Sequence, residues 1–126
     1  MSYAVVDSSV LLALAFEEPG WEAVAARFDR FRSVFACDLA EAELRSALRR
    51  EGVPFHDAML LQIELIMPAR SLRPEFTAVL ATGYVRGADC FHLAVALSLS
   101  PDPRELTFLT LDKRQRDVAK ALGFAV

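Results

Sequence analysis

Short apolar runs alternate with segments of helical periodicity along the whole chain. The runs Tyr3–Val6 and Leu106–Leu109 are apolar and partly β-branched, and each predicts a buried strand. After Asp89 the chain is apolar or small almost all round through Ser98, which predicts a helix buried in the middle of the domain. Strands that alternate with helices indicate an α/β fold, here a three-layer sandwich in which helices flank both faces of a central parallel sheet.

The remaining segments carry weaker signals that complete this alternation. Helical periodicity and capping signals predict further helices over residues 8–16, 21–31, 38–52, 54–66, 74–84 and 113–122. Apolar runs predict a further strand at 33–36, a weak strand at 69–72 and an edge strand at 124–126. Pro68 interrupts the predicted helix over 54–66, because proline lacks a backbone donor and clashes with the preceding turn.

Length and composition limit what such a fold can do. At 126 residues the chain fits one domain, residues 1–126, with a core of its own. The net charge of −3 offers no basic field that would by itself indicate nucleic-acid binding. The longest apolar run, residues 10–16, is too short for a membrane span, and no basic leader precedes it, so we expect a cytoplasmic protein. Cys37 and Cys90 lack the spacing of a zinc site or a disulfide framework.

Acidic residues follow two of the predicted strands and open the buried helix. Asp7 comes directly after Tyr3–Val6, and Asp112 follows Leu106–Leu109 after two intervening residues. Ligands of open α/β sheets bind beyond the carboxyl ends of the strands, so both aspartates stand where a site would form. Asp89 begins the most apolar helix, where a charge without a partner is costly. The sequence therefore predicts three acids at one edge of the sheet.

A fourth acid can approach this edge from the helix that begins near Asp38. Glu41 and Glu43 lie on opposite shoulders of its apolar stripe, and periodicity alone does not choose between them. Each acid also has a structural explanation, since aspartate is a good helix N-cap and a helical glutamate is usually solvated. Two carboxylates about 4 Å apart repel by roughly 4 kcal/mol at an effective dielectric constant near 20, so a cluster of them indicates a divalent cation. Ligands that are all oxygen favour Mg²⁺ or Mn²⁺ over Zn²⁺.

At this point the residues resemble those of a known family, the PIN domains, and more narrowly the VapC toxins of prokaryotic toxin–antitoxin pairs. The likeness covers essentially the whole chain and rests on several segments in the family's order and spacing. These segments are Asp7-Ser8-Ser9-Val10-Leu11-Leu12 after the first strand, Glu43-Leu44-x-x-Ala47-Leu48-x-Arg50, Asp89-x-x-His92-Leu93-Ala94-x-Ala96, Leu109-Thr110-Leu111-Asp112 and Ala119-x-x-x-Gly123. One such segment is weak support, whereas several in register are strong.

The resemblance implies a site and an activity. The family's acidic quartet falls on Asp7, Glu43, Asp89 and Asp112, which chooses Glu43 over Glu41. It implies an endoribonuclease that depends on Mg²⁺, or on Mn²⁺ in its place, and cuts single-stranded or loop RNA with metal-activated water. We expect Asp7 and Asp89 to be the principal metal ligands, Glu43 to orient the water or complete a second metal site, and Asp112 to bind directly or through water. A VapB-type antitoxin partner and a homodimer are also implied.

Three further side chains are candidates for supporting roles, and one alternative function stays open. The family's hydroxyl near the last acid falls on Thr110, and Ser9 and Thr110 could bond metal-bound water or simply cap helices. His92 shares a helix face with Asp89 and could assist the site or be an interior, hydrogen-bonded histidine. The alternative is a catalytically silent PIN-like module that binds protein or RNA. Receiver domains and haloacid-dehalogenase phosphatases fit poorly, because the carboxylates that they need are missing here.

Overall fold

A computed structural model describes residues 2–126, which fold into alternating strands and helices. The strands in this part of the chain are β1 (Tyr3–Val6), β2 (Ser33–Cys37), β3 (Ile63–Ile66) and β4 (Leu106–Leu109). Its helices are α1 (Ser8–Ala15), α2 (Trp21–Phe28), α3 (Asp38–Arg50), α4 (Arg73–Thr82), α5 (Gly87–Leu99) and α6 (Lys113–Leu122). Short 3₁₀ turns cover Asp57–Leu60 and Pro103–Glu105. None of the helices between residues 2 and 126 has the length and apolar character that crossing a bilayer requires.

The strands form one parallel sheet in the order β3-β2-β1-β4. Val5 pairs with Phe35 on one side and with Phe108 on the other, so β1 lies in the interior of the sheet. The chain moves from β1 to β2 in one direction and reaches β4 in the other, which makes the β1–β4 boundary a topological switch point. Ligands of open α/β sheets bind at such a point, beyond the carboxyl ends of the strands. The predicted α/β class with a central parallel sheet is confirmed.

Alternate residues of β1 face two separate apolar layers, as the period of a strand requires. Ala4 and Val6 pack with buried residues of α1 and α2, including Val10 and Phe28. Val5 faces the opposite layer, where its neighbours come from α4, α5 and α6. Helices therefore cover both faces of the sheet, as the predicted three-layer sandwich requires.

The segment between α3 and α4 differs from the sequence-based expectation. Instead of a helix over 54–66, the chain forms the turn Asp57–Leu60 and then β3, which pairs with β2 from Val34↔Ile63 to Cys37↔Ile66. The apolar spacing there fits a period of two as well as a helical one, and pairing with a neighbouring strand decides between them. The weak strand predicted at 69–72 is also wrong, because β3 already occupies the edge and this segment is a loop.

The other end of the sheet is extended only slightly by the C-terminal residues. In place of a full edge strand at 124–126, Ala125 makes a single parallel bridge with Thr107. Gly123 ends α6 with a φ of 107°, a left-handed conformation that glycine adopts without steric cost. The turn brings Phe124 back onto β4, where its ring packs 5.9 Å from that of Phe108.

Candidate active site

The Asp7 side chain lies at the switch point, buried beside β4. Val6 is the last residue of β1 and pairs with Leu109, so Asp7 and Thr110 emerge next to each other. Ser9 donates to Asp7 Oδ1 at 2.6 Å, and Thr110 donates to Asp7 Oδ2 at 2.9 Å. Only 3% of Asp7 is exposed, and burial raises its pKa although these two hydrogen bonds oppose the rise. Asp7 occupies the N-cap position of α1 without a side-chain capping hydrogen bond, and the nearby Val10 backbone N–H is the weakest of the groups that oppose the rise in its pKa.

Thr110 connects Asp7 to the first turn of α6. Its hydroxyl lies 2.8 Å from Gln115 Oε1 and accepts the Asp112 N–H at 3.1 Å. Gln115 is fully buried, and its Nε2 donates to the backbone carbonyl of Asp89 at 3.3 Å. A continuous chain of polar contacts therefore links β1, β4, α6 and α5. We call its members Asp7, Ser9, Thr110 and Gln115 the floor of the site.

Asp89 and Asp112 lie above the floor in an open depression of about 340 Å³. Tyr84, Arg86 and Arg114 complete its lining, and we call these five residues the mouth of the site. The nearest cation to the Asp89 carboxylate is the Arg86 guanidinium, at 3.8 Å. Partial burial raises the pKa of Asp89, and the charges of Asp112 and Glu43 add to the rise while Arg86 opposes it. The acids are therefore near enough to repel one another.

Asp112 has a structural role as well as a place at the mouth. Its Oδ1 accepts the Gln115 backbone N–H at 2.8 Å, which caps the N-terminus of α6. Asp89 differs, because it lies within the first turn of α5 and Arg86 occupies the N-cap position. The capping explanation therefore holds for Asp112 alone among the three aspartates at this edge.

Glu43 approaches the mouth from α3 and is held by a buried histidine. His92 Nε2 donates to Glu43 Oε1 at 2.6 Å, while Nδ1 lies 3.1 Å from the Cys37 sulfur. Only 1% of His92 is exposed. Burial would lower the pKa of His92, but the hydrogen bonds to Cys37 and Glu43 raise it to about 10. The hydrogen bond from His92 in turn lowers the pKa of Glu43, so the two form an ion pair.

Glu41, the other candidate on α3, has a different environment. It pairs with Arg45 one turn later, at 2.9 Å, and about half of the Arg45 side chain is exposed. Such i,i+4 pairs on an exposed helix surface stabilise a helix only slightly. The geometry thus separates two glutamates that periodicity left equivalent.

The acids of the site present a donor set of a defined chemical kind. Within residues 2–126, no three His, Cys, Asp or Glu side chains stand close enough together to form a preformed cage. A hard divalent cation such as Mg²⁺ needs only one or two carboxylates and keeps several waters, whereas zinc sites usually take four protein or water ligands with His or Cys among them. Asp7, Asp89 and Asp112 offer oxygen alone. They fit a hard cation held partly through water.

Two parts of the site escaped sequence reasoning. Gln115 joins Thr110 to Asp89, and its signal was present: it shares the apolar face of α6 with Val118 and Ala119, where a polar residue needs a partner. Cys37 ends β2 directly before α3, and nothing in its spacing showed that it would meet His92. Their positions depend on how α5 packs against the sheet and α6.

Comparisons with known proteins identify the family of this chain. The family model of the PIN domain matches residues 4–121. Ribonuclease VapC46 from Mycobacterium tuberculosis (strain ATCC 25618 / H37Rv) is 31% identical over 129 residues, an alignment that covers 100% of this chain and 97% of that protein. The similarity spans the segments that carry Asp7, Glu43, Asp89 and Asp112. The resemblance to VapC-type proteins is thus confirmed, and the chain belongs to the PIN domain family.

Proposed function

We propose that this protein is a metal-dependent endoribonuclease of the VapC type, the toxin of a toxin–antitoxin pair. The whole of residues 1–126 forms the one nuclease domain. The observation that carries the proposal is the assembly of Asp7, Glu43, Asp89 and Asp112 around the switch point of a PIN fold, with a raised pKa at Asp7 and Asp89. Perturbed carboxylates grouped at an open site are typical of catalytic centres. The similarity to a protein named as a ribonuclease supports RNA as the substrate.

Mg²⁺ is the cation that we propose, with Mn²⁺ as a substitute. Asp7 and Asp89 would hold it, and Asp112 would add its free oxygen directly or through water. When bound, such a cation lowers the pKa of water and stabilises the charge that develops on a phosphodiester. The charge repulsion among Asp89, Asp112 and Glu43 supports this assignment, because a cation would relieve it.

The remaining residues position the acids. Ser9 and Thr110 hold both oxygens of Asp7, so its carboxylate has one orientation before any ligand binds. His92 keeps Glu43 ionised, as a group that orients water or accepts its proton must be. Both arrangements place the charge in advance, which is how an enzyme avoids reorganisation during the reaction. Ser9, Thr110 and His92 are therefore positioning residues in this proposal.

The proposed partners follow from the family. A VapB-type antitoxin would block the mouth, and a homodimer would help to form the groove for RNA. We propose a cytoplasmic location, where such a toxin meets RNA. The similarity to a VapC protein supports the antitoxin partner, and the geometry of this chain supports the chemistry.

Cleavage of a structured RNA pool tests the proposal. Purified protein is assayed with Mg²⁺, with Mn²⁺ and with excess EDTA, beside Asp7→Asn and the control Asp117→Asn. Asp117 is an exposed acid that pairs with Lys113 on α6, so its substitution removes the same charge elsewhere. We expect cleavage by wild type and Asp117→Asn in either metal, and none by Asp7→Asn or in EDTA. A folded wild-type protein that cuts no RNA in either metal would favour the silent binding module.

A further inference from the structure

The mouth contains three side chains that metal chemistry at the acids does not use. Tyr84, Arg86 and Arg114 share the depression of about 340 Å³ with Asp89 and Asp112. The chain has a net charge of −3, so two guanidinium groups beside the acids form a local concentration of positive charge. Arginine suits phosphate because its planar group makes bidentate hydrogen bonds. The depression therefore contains groups that suit an anionic RNA backbone beside carboxylates that suit a metal ion.

Tyr84 presents an aromatic ring to solvent from a well-anchored segment. The side chain is 65% exposed, although tyrosine usually buries its ring. The next residue, Val85, is only 3% exposed and packs in the core formed with α4, α5 and α6. This anchor fixes the backbone just before α5, while most of the ring remains exposed at the mouth. An exposed ring on a fixed backbone is suited to stacking on a flat partner.

Arg114 is oriented toward that ring rather than toward an acid. Its guanidinium carbon lies 5.4 Å from the centre of the Tyr84 ring. Among residues 2–126, no carboxylate lies within ion-pair distance of Arg114, whereas Arg86 faces Asp89 at 3.8 Å. A phosphate group could therefore meet Arg114 without displacing an existing ion pair.

We propose that the mouth binds single-stranded RNA, with an unpaired base stacked on Tyr84 and the adjacent backbone phosphates on Arg114 and Arg86. This inference rests on the proposed nuclease function and names the feature by which the site would select its substrate. Bases of an A-form duplex are stacked on each other and do not offer a free face, whereas bases of loops and single strands do. Tyr84 thus selects unpaired RNA, and Arg114 places its phosphate near Asp89 and Asp112.

The structure supplies a matched control for this chemistry. Arg45 lies over the Phe55 ring at 3.8 Å, in a depression of about 350 Å³ whose described lining has no acidic residue. This pair reproduces an arginine beside an aromatic ring, outside the depression that contains Asp89 and Asp112. Phe55→Leu therefore shows what loss of such a ring does to RNA binding in general.

Binding is measured separately from cleavage, by fluorescence anisotropy of a short labelled single-stranded RNA in EDTA. We expect Tyr84→Leu to weaken binding by roughly tenfold, the effect of losing one base–aromatic stack. Tyr84→Phe keeps the ring and should bind within about twofold of wild type on the same physical grounds. Phe55→Leu should also bind like wild type. A blunt-ended RNA duplex of the same composition, which has no unpaired bases, should bind to the Tyr84 variants and to wild type equally.

The outcomes separate this inference from the nuclease proposal. If Tyr84→Leu binds the single strand as tightly as wild type, or if wild type binds no RNA, the stacking site is wrong. Equal weakening by Phe55→Leu would also overturn it, because the effect would then be general. If Tyr84→Leu alone weakens binding while wild type cuts no RNA in Mg²⁺, the stacking site stands and the nuclease proposal fails. Circular dichroism of each variant shows that the fold is intact.

Discussion

The floor and the mouth of the site are built on opposite physical principles. In the floor, Asp7, Thr110 and Gln115 are almost completely buried, and polar contacts of the Thr110 hydroxyl connect the other two. No buried side-chain nitrogen or oxygen among the described residues lacks a hydrogen-bond partner. In the mouth, Asp89 and Asp112 face an open depression and repel each other. The protein alone completes the floor, whereas the mouth needs a ligand.

The contrast explains which part of the site destabilises the folded state. A buried carboxylate with a raised pKa favours the protonated form, so an ionised Asp7 destabilises the folded state at neutral pH. Functional sites often keep such groups because activity requires them. The acids of the mouth destabilise the folded state less, because water solvates part of each carboxylate.

The largest expected effect comes from removing the Asp7 charge. Asp7→Asn keeps the shape of the floor but cannot supply the anionic oxygen, so RNA cleavage should fall by on the order of 10³-fold or more. Thermal unfolding should show unchanged or higher stability at pH 7, because the cost of the buried charge is gone. Cleavage rates and melting temperatures measured beside Asp117→Asn check both expectations. A variant that is active, or one that is unfolded, would contradict the separation of charge from structure.

Gln115 tests whether the floor is a connected network. Gln115→Met keeps the volume but removes the hydrogen bond to the Asp89 carbonyl and the polar contact with Thr110. Loss of a buried hydrogen bond costs about 0.5 to 1.5 kcal/mol of the free energy of unfolding. Gln62→Met is the control, since Gln62 is exposed and a surface change should stay within about 0.5 kcal/mol. Urea denaturation of the two variants decides, and equal stabilities would mean that the network does not stabilise the fold.

The Glu43–His92 pair should make the stability of the folded protein depend on pH, and the sign of this dependence is defined. The pKa of His92 is about 10 in the folded protein and 6.5 as its ordinary value, so its contribution to stability is complete below pH 6.5 and is lost as the pH rises toward 10. Glu43→Gln should cost about 1.5 kcal/mol at pH 6.5, the low end for a charged hydrogen bond because a third of Glu43 is exposed.

Denaturation at several pH values checks this sign. The stability difference between wild type and Glu43→Gln should shrink between pH 6.5 and pH 10. A difference that stays constant over this range would mean that His92 is neutral in the folded protein and would contradict the ion pair. Glu41→Gln is the matched control on the same helix, since its partner is the exposed Arg45.

The smallest effect separates the two roles of Asp112. Asp112→Ala removes the N-cap of α6 and should cost about 1 kcal/mol, whereas Asp112→Asn keeps a good cap and should cost much less. Both remove the charge from the mouth, so both should lower RNA cleavage. Melting temperatures and cleavage rates of the pair check this. Equal stabilities of the two variants would mean that the cap does not stabilise α6. Full activity of Asp112→Asn would mean that RNA cleavage does not need the Asp112 charge.

Sequence reasoning predicted the parts of the molecule that local pattern determines. β1, β4 and the buried α5 follow from apolar runs and periodicity, and the acids at the strand ends follow from the topology. It failed over residues 54–72, because Ile63 and Leu65 fit a helix or a strand until β2 provides a partner. The choice of Glu43 needed the family resemblance. The link through Gln115 and the position of Tyr84 depend on packing between distant elements, which one sequence does not display.

Titration with Mn²⁺ tests the central claim most directly, namely that the buried and exposed acids act together as one metal site. Binding is followed by isothermal calorimetry or by the paramagnetic resonance of free Mn²⁺, for wild type, Asp7→Asn, Asp89→Asn and Asp117→Asn. We predict that wild type and Asp117→Asn bind Mn²⁺ alike, while either substitution at Asp7 or Asp89 abolishes the binding. Undiminished binding in both Asp7→Asn and Asp89→Asn would contradict the account, because these acids would then not hold the metal.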